Sequence, residues 1–354
     1  MTPAAVPPGG GRSFELDRFQ REAIAALDRG ENVLVAAPTG SGKTVVAEHA
    51  VDLALAAGAK AFYTAPIKAL SNQKHRDLAE RVGVEQVGLL TGDTTHQPDA
   101  PVVVMTTEVL RNMLYRRAPA LDGLRWVVLD EVHFLQDEYR GPVWEEVMIH
   151  LPPEVRLVCL SATVSNSDEL GEWITTVRGP TTVVLEERRP VSLTNHYAVE
   201  VRDRRELVVI PTLVRGKPNP EGDAFDAGGT RERGRGRGRP RRAHATPRRL
   251  DVVDHLARLG LLPAIYFIFS RAACDDAVRA CTAAGLRLTT PDERRRVRAI
   301  VEERTAALDP LDLAVLGYER WVAALESGVA AHDAGMVPPF KEAVEACFVE
   351  GLVK

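Results

Sequence analysis

The chain has 354 residues, enough for about two domains, and 45% of them are apolar, enough to fill ordinary cores. No apolar run reaches the roughly 18 residues that cross a membrane, and Met1 to Ser13, rich in Pro and Gly, lacks the basic start and apolar stretch of a secretory signal, so a cytoplasmic site is the default expectation. The net charge of −4 neither requires nor excludes nucleic acid, and four cysteines without a Cys-x-x-Cys pair read as reduced thiols, not a zinc site.

In chain order, residues 1–13 are expected to be disordered. Phe19-Gln20 leads into a helical run from Arg21 to Asp28, which Gly30 ends as a C-cap glycine would. Asn32 to Ala36 is short, apolar and β-prone; Val45 to Leu55 suits a helix. Between them stands Ala37-Pro38-Thr39-Gly40-Ser41-Gly42-Lys43-Thr44. Strand, glycine-bearing turn and Lys-Thr opening a helix is the context of a phosphate-binding loop. The glycines let backbone N–H groups turn toward one anion, and the helix N-terminus adds unpaired donors. Lys43 can reach the β- and γ-phosphates and the Thr44 hydroxyl can ligate Mg²⁺, so ATP and Mg²⁺ are the expected cofactors. Ala37 stands where the strict pattern has Gly, and an ordinary Gly-rich turn is the plain alternative.

Further strands are expected at Ala61–Ala65, stopped by Pro66, and at Gln86–Leu90, Val102–Thr106, Trp126–Leu129 and Leu157–Leu160, with helical sequence from Lys68 to Arg81. Residues 14–190 thus read as an α/β ATP-binding domain with a parallel sheet covered on both faces. Ligands of such sheets bind outside the carboxyl ends of the strands. Thr181–Leu185 and Val191–Val201 look like strands leaving the domain, and 191–216 as linker strands. Residues 217–249 have almost no large apolar side chain and are expected to be a disordered Arg/Gly-rich insertion. Within it, 231–249 carries nine Arg and one Glu, a local +8 that leaves −12 on the rest. Only seven of the 45 basic residues are Lys, a bias that a GC-rich genome also produces.

A second α/β pattern occupies 250–354. A helix to Leu259 precedes a strand at Ala264–Phe269, Ser270-Arg271 opens a helix through Ala284, and helical sequence runs from Pro291 to Leu325. A short strand, Gly328–His332, precedes a helix from Pro339 to Glu350.

The strand at Trp126–Leu129 ends in Asp130-Glu131-Val132-His133. A carboxylate at that strand end can hold Mg²⁺ through its waters beside the phosphate loop. Glu131 is placed to accept a proton from an attacking water. Either acid alone would be an ordinary solvated carboxylate.

Taken together, the motifs resemble the superkiller-type, exosome-associated DExH-box RNA helicases, especially their actinobacterial relatives. The resemblance rests on Phe-Gln at 19–20, Ala-Pro-Thr-Gly-Ser-Gly-Lys-Thr at 37–44, Pro-Ile-Lys-Ala-Leu-Ser-Asn-Gln-Lys at 66–74, Thr-Gly-Asp at 91–93 and Thr-Thr-Glu-Val-Leu-Arg-Asn at 106–112. It continues through Asp-Glu-Val-His at 130–133, Gly-Pro-Val-Trp-Glu-Glu at 141–146 and Ser-Ala-Thr at 161–163, and more weakly through Phe-Ser-Arg at 269–271 and Gly-Val-Ala-Ala-His at 328–332. It implies two RecA-like parallel-sheet domains, the second incomplete, that couple ATP hydrolysis to translocation on and unwinding of RNA. Gln20 would read adenine, with Phe19 helping to form its pocket. Pro66, Lys68, Thr91, Gly92 and Thr107 would touch one strand's sugar-phosphate backbone. Ser161 and Thr163 would link the ATP site to RNA by hydrogen bonds, and His133 could couple the site to a neighbouring domain, a lone His more often being merely structural. Ser270, Arg271 and His332 would be second-domain RNA contacts. Without the family, Thr91, Thr107, Ser161 and Thr163 read as helix caps, and Arg271 as a surface charge.

Two departures stand out. His332-Asp333-Ala334-Gly335 replaces the family's His-His-Ala-Gly. The later Thr-containing motif and the Gln…Gly-Arg-x-Gly-Arg motif, which supplies the arginine finger, are not found, so the resemblance implies the front of a longer helicase and weak hydrolysis by this chain. The implied partner is RNA, a single strand with adjacent duplex, and through it RNA-degradation machinery, with no membrane. The rivals are a related DNA helicase and an ATP-gated RNA-binding module without unwinding.

Overall fold

The computed structural model describes residues 15–163, 166–226 and 244–354. The expected disordered N-terminus and the Arg-rich centre of the insertion, 227–243, lie outside the described residues. The chain folds as two units, the first ending at Ser192 and the second starting at Leu193.

The first unit runs α1 (Arg18–Asp28), β1 (Asn32–Ala36), α2 (Thr44–Ala56), β2 (Lys60–Ala65), α3 (Lys68–Val82), β3 (Val87–Leu90), β4 (Thr95–His96), β5 (Val102–Thr106), α4 (Thr107–Arg116), β6 (Leu124–Leu129), α5 (Gly141–His150), β7 (Arg156–Ser161), α6 (Ser167–Arg178) and β8 (Thr181–Leu185). The strands form one sheet in the order β4-β3-β5-β2-β6-β7-β1-β8. Every pairing is parallel except β3 with β4. This is the parallel α/β arrangement that the alternating pattern predicts, and it matches the RecA-like fold that the resemblance implies for this unit.

The apolar strands follow from burial on both faces. Val33 and Val35 of β1 point to one core layer, with Phe19 and Leu27 of α1, Val46 and Val51 of α2 and Leu78 of α3. Leu34 points to the other, with Leu110 of α4, Trp144 and Met148 of α5 and Ile174 of α6. A buried Asn32 ties the lower ends of the strands together. Its amide donates to the carbonyls of Arg178 and Pro180, and its oxygen accepts from Leu157 N–H. That tie helps to place Thr181–Leu185 beside β1, with Asn32 opposite Thr181. The segment is therefore the edge strand of this sheet and does not leave the domain, as the sequence suggested.

In the second unit, His196–Val201 pairs antiparallel with Glu206–Pro211. The strand expected from Val191 starts only at His196. The expected disorder of 217–249 gives way to structure at both described ends. Leu213–Val214 turns through Arg215 and Gly216, both at positive φ, to pair with Lys217–Pro218, and a short helix covers Pro220–Asp226. His244–Ala245 adds to the hairpin beside Val201. Phe225 is the large side chain that composition undervalued: its ring stacks on Tyr197 and meets His244 edge-on.

The remainder is helical: Arg249–Arg258, Arg271–Ala283, Pro291–Thr305, Pro310–Val315, Tyr318–Glu326 and Pro338–Val349. Val297, Val301, Leu325, Ala343 and Cys347 make its core. The single helical run expected over Pro291–Leu325 breaks at the Asp309-Pro310 start and at Gly317, whose φ is +71°. The strands expected at Ala264–Phe269 and Gly328–His332 form no ladder among the described residues. They meet their neighbours by single bonds, Ala264 N–H to Lys354 O at 2.7 Å and Lys354 N–H to Gly328 O at 2.9 Å. Ile265, Phe267 and Phe269 remain exposed. An apolar run that no second strand flanks gives its backbone groups no ladder to join.

Candidate nucleotide and nucleic-acid site

Sheet order sorts the motif-bearing loops into two groups. The phosphate loop follows β1, the Asp130-Glu131 pair follows β6 and Ser161 ends β7; these strands are neighbours. Pro66-Lys68 follows β2, Thr91-Gly92 follows β3 and Thr107 follows β5; these are neighbours too. β2 and β6 join the two halves.

In the phosphate loop, Gly40 and Gly42 have φ of +81° and +86°. A Cβ on Gly42 would lie 2.7 Å from Gln20 Nε2. Gln20 is buried and bonded at both ends of its amide, with one N–H and one lone pair left over: Nε2 donates to Gly42 O at 3.0 Å, and Oε1 accepts from Asp17 N–H at 2.9 Å. It fastens α1 to the loop. Phe19 is a core side chain beneath it. Pro38 is buried, whereas Thr39 and Gly40 are exposed. Lys43 Nζ donates to the carbonyls of Ala37 at 2.6 Å and Pro38 at 3.1 Å. Burial lowers its pKa, against the opposing pull of Glu131 and Asp130. The Ser41 hydroxyl is buried without a hydrogen-bond partner. Positive-φ glycines, an orphaned hydroxyl and a lysine held only by its own loop fit a polyphosphate.

Asp130 has both oxygens engaged. Oδ1 accepts from Glu131 N–H at 3.0 Å and Oδ2 from the Tyr63 hydroxyl at 2.7 Å. Glu131 itself sits at φ +53° and heads a short 3₁₀ turn, Val132–Gln136; a non-glycine residue in this region is a local strain. His133 Nδ1 lies 3.3 Å from Glu131 Oε2. Ser161 is fully buried at the end of β7, its carbonyl accepts from Ala37 N–H, and its hydroxyl has no hydrogen-bond partner. Thr163 is exposed. Thr44 and Asp130 supply a hydroxyl and a carboxylate, the donor set that suits Mg²⁺ shared with phosphates.

On the other half, Lys68 pairs with Asp93, and Thr91 Oγ1 donates to the same carboxylate at 3.1 Å. Lys68 and Asp93 are exposed, so a phosphate can compete for the lysine. The Thr107 hydroxyl is buried with no hydrogen-bond partner at the start of α4. Arg140, which sequence reasoning passed over, connects these loops. It donates to Pro66 O and to Glu108 Oε1, and its guanidinium lies 5.5 Å from the ring centres of Phe134 and Trp144.

Residues 17–170 match the family model described as DEAD/DEAH box helicase. Over this stretch the chain is similar to DEAD/DEAH box helicase domains. The chain is 54% identical over 350 residues to the probable helicase HelY of Mycobacterium tuberculosis strain H37Rv, covering 96% of this chain and 39% of that protein. It is 39% identical over 379 residues to the chloroplastic DExH-box ATP-dependent RNA helicase DExH15 of Arabidopsis thaliana (96% and 32%). It is 36% identical over 348 residues to the exosome RNA helicase MTR4 of Mus musculus (96% and 33%). The chain thus spans well under half the length of each of these relatives.

The second unit carries its own candidates. Ser270 caps the Arg271–Ala283 helix by accepting from Ala273 N–H at 3.3 Å. Arg271 lies against Gly335: a Cβ there would sit 3.0 Å from Arg271 Nη1 and 3.1 Å from Asp333 Oδ1. His332 Nε2 lies 3.0 Å from Glu345 Oε1. Two side chains of the first unit went unassigned in the sequence, Tyr63 and Lys74. Both fall in or beside the Pro66–Lys74 motif, and their chemistry appears only when β2 and α3 are seen against β6 and the phosphate loop.

Proposed function

We propose that this chain carries the ATP-binding part of an RNA helicase, in which hydrolysis drives movement along one RNA strand. The observation that carries this reading is the division of the sheet. Nucleotide chemistry occupies the loops after β6, β7 and β1, and the candidate strand contacts occupy those after β3, β5 and β2.

The phosphate loop would wrap the β- and γ-phosphates with its N–H groups and Lys43. Thr44 and Asp130 would hold Mg²⁺, which offsets phosphate charge. Glu131, in its strained position, would accept the proton of the attacking water, and His133 beside it would couple the site to a neighbouring domain. Gln20 would face the base, with Phe19 supporting it. Pro66, Lys68, Thr91, Gly92 and Thr107 would grip the sugar-phosphate backbone without reading bases. Ser161 and Thr163 would relay between the halves, and Ser270, Arg271 and His332 would add contacts from the second unit. RNA is the substrate class favoured, because DExH15 and MTR4 are named as RNA helicases. Association with RNA-degrading enzymes is proposed from the name of MTR4 alone.

The test is competition between single-stranded RNA and DNA of one sequence for the full chain, with and without Mg²⁺ and a non-hydrolysable ATP analogue. RNA should bind more tightly and respond to nucleotide. Preference for DNA would assign the site to a DNA helicase.

A further inference from the structure

Two side chains outside the expected site touch the two groups assigned to the metal. Tyr63 of β2 is 1% exposed, and its Oη donates to Asp130 Oδ2 at 2.7 Å. Asp130 Oδ1 is held independently by Glu131 N–H. A carboxylate with one fixed donor on each oxygen has its plane set and still keeps lone pairs for a metal or its waters. Phe would fill the same space on β2, so packing alone does not require the hydroxyl. Lys74 of α3 donates to Thr44 Oγ1 at 3.1 Å, and its ammonium lies 5.9 Å from the centre of the Tyr63 ring.

We infer that Tyr63 and Lys74 are positioning residues for the metal ligands: Tyr63 fixes the Asp130 carboxylate, and Lys74 holds the Thr44 hydroxyl until a metal ion displaces it. The inference rests on the reading of Thr44 and Asp130 as the Mg²⁺ ligands. Lys74 occupies a lone pair of the hydroxyl that would ligate the metal, and an ammonium and a dication repel at that range. Lys74 is therefore a built-in cation beside the phosphate loop, close enough to Lys43 to act on its charge, before nucleotide arrives. Its helix begins at Lys68, so a nucleic-acid strand contacting the start of α3 acts on the same element that carries Lys74.

The two residues make opposite demands on Mg²⁺, and the experiment reads that sign. Binding of a fluorescent ADP to the full chain is titrated with Mg²⁺ for wild type, Tyr63→Phe and Lys74→Met, and thermal unfolding without nucleotide is followed in parallel. Losing a bond to a metal-ligating carboxylate costs about tenfold or more in metal affinity, so Tyr63→Phe should raise the half-saturating Mg²⁺ concentration by about that factor. A unit charge about 6 Å from a dication is worth up to about tenfold even at the dielectric constant of water, so Lys74→Met should lower it. Without Mg²⁺, ADP affinity should stay within about twofold of wild type in both. Unfolding temperatures that fall with unchanged Mg²⁺ dependence would reduce both residues to packing and overturn the inference. So would a loss of Mg²⁺-free ADP binding in Lys74→Met, which would make Lys74 a phosphate contact. If wild type itself shows no Mg²⁺-dependent ADP binding, the metal-site reading fails first; wild-type binding with unmoved variants overturns the positioning role alone.

Discussion

Replacing Arg140 should loosen the first unit measurably, because one guanidinium joins three elements. It bonds the Pro66 carbonyl after β2 and the Glu108 carboxylate on α4, and lies over Phe134 and Trp144. The Arg140 and Glu108 side chains are 31% and 36% exposed, so the ion pair is discounted to about 0.5–1 kcal/mol. The bond to Pro66 adds about 1 kcal/mol, and the aromatic faces add about 0.5–1 kcal/mol more at this exposure. Arg140→Ala should therefore cost about 2–3 kcal/mol. For a unit of this size, each kcal/mol moves the midpoint by about 2–4 °C, so circular dichroism should show a fall of about 4–12 °C. Arg140→Lys keeps charge near Glu108 but loses the planar fork and stacking face, and should fall between. A midpoint of Arg140→Ala within about 1 °C of wild type would refute this accounting.

Gly42→Ala should destabilise the chain by about 1–2 kcal/mol, since a side chain at φ +86° is strained and its Cβ would meet Gln20; a wild-type midpoint would contradict it. In a longer chain that carries the arginine finger, Glu131→Gln should keep nucleotide affinity and lose most turnover, and turnover near wild type would point to another base. Deleting residues 227–243, with seven Arg and one Glu, should flatten the salt dependence of RNA binding, each neutralised phosphate contributing roughly −0.7 to the log–log slope; an unchanged slope would make the segment a spacer. Hydrogen bonds from Lys354 and from the Thr290 cap hold Glu293 at a pKa of about 2, below its usual 4.5. A carboxyl depressed in the folded state contributes stability that is complete above its unfolded pKa and is lost as pH falls through the folded one. Urea unfolding of wild type should therefore weaken between about pH 4.5 and 2, and Glu293→Gln should show a shallower loss in that window.

Much of the first unit was legible because burial on two faces forces apolar runs, and β1, β2, β5, β6 and β7 fall where those runs lie. The edge strand β8 was misplaced because Thr181–Leu185 is only partly buried and its position depends on the Asn32 tie, made across 148 residues to Pro180. Arg140 carries no local signal at all; its partners Pro66 and Glu108 lie far back in the chain. The phosphate loop and the Asp-Glu pair announced themselves as contiguous motifs. Tyr63 and Lys74 did not, because a Tyr in an apolar strand reads as core and a Lys on a polar helix reads as solvated. In the second unit, Ala264–Phe269 has the composition of a buried strand, yet pairing depends on neighbours that composition does not reveal.

The central claim is that Lys43, Thr44 and Asp130 form a Mg²⁺-dependent nucleotide site. Titration calorimetry of Mg·ATP into wild type and Lys43→Ala tests it most directly. Saturable binding by wild type that disappears in Lys43→Ala, with unchanged circular dichroism, is the predicted result. Undiminished affinity in the variant would contradict it.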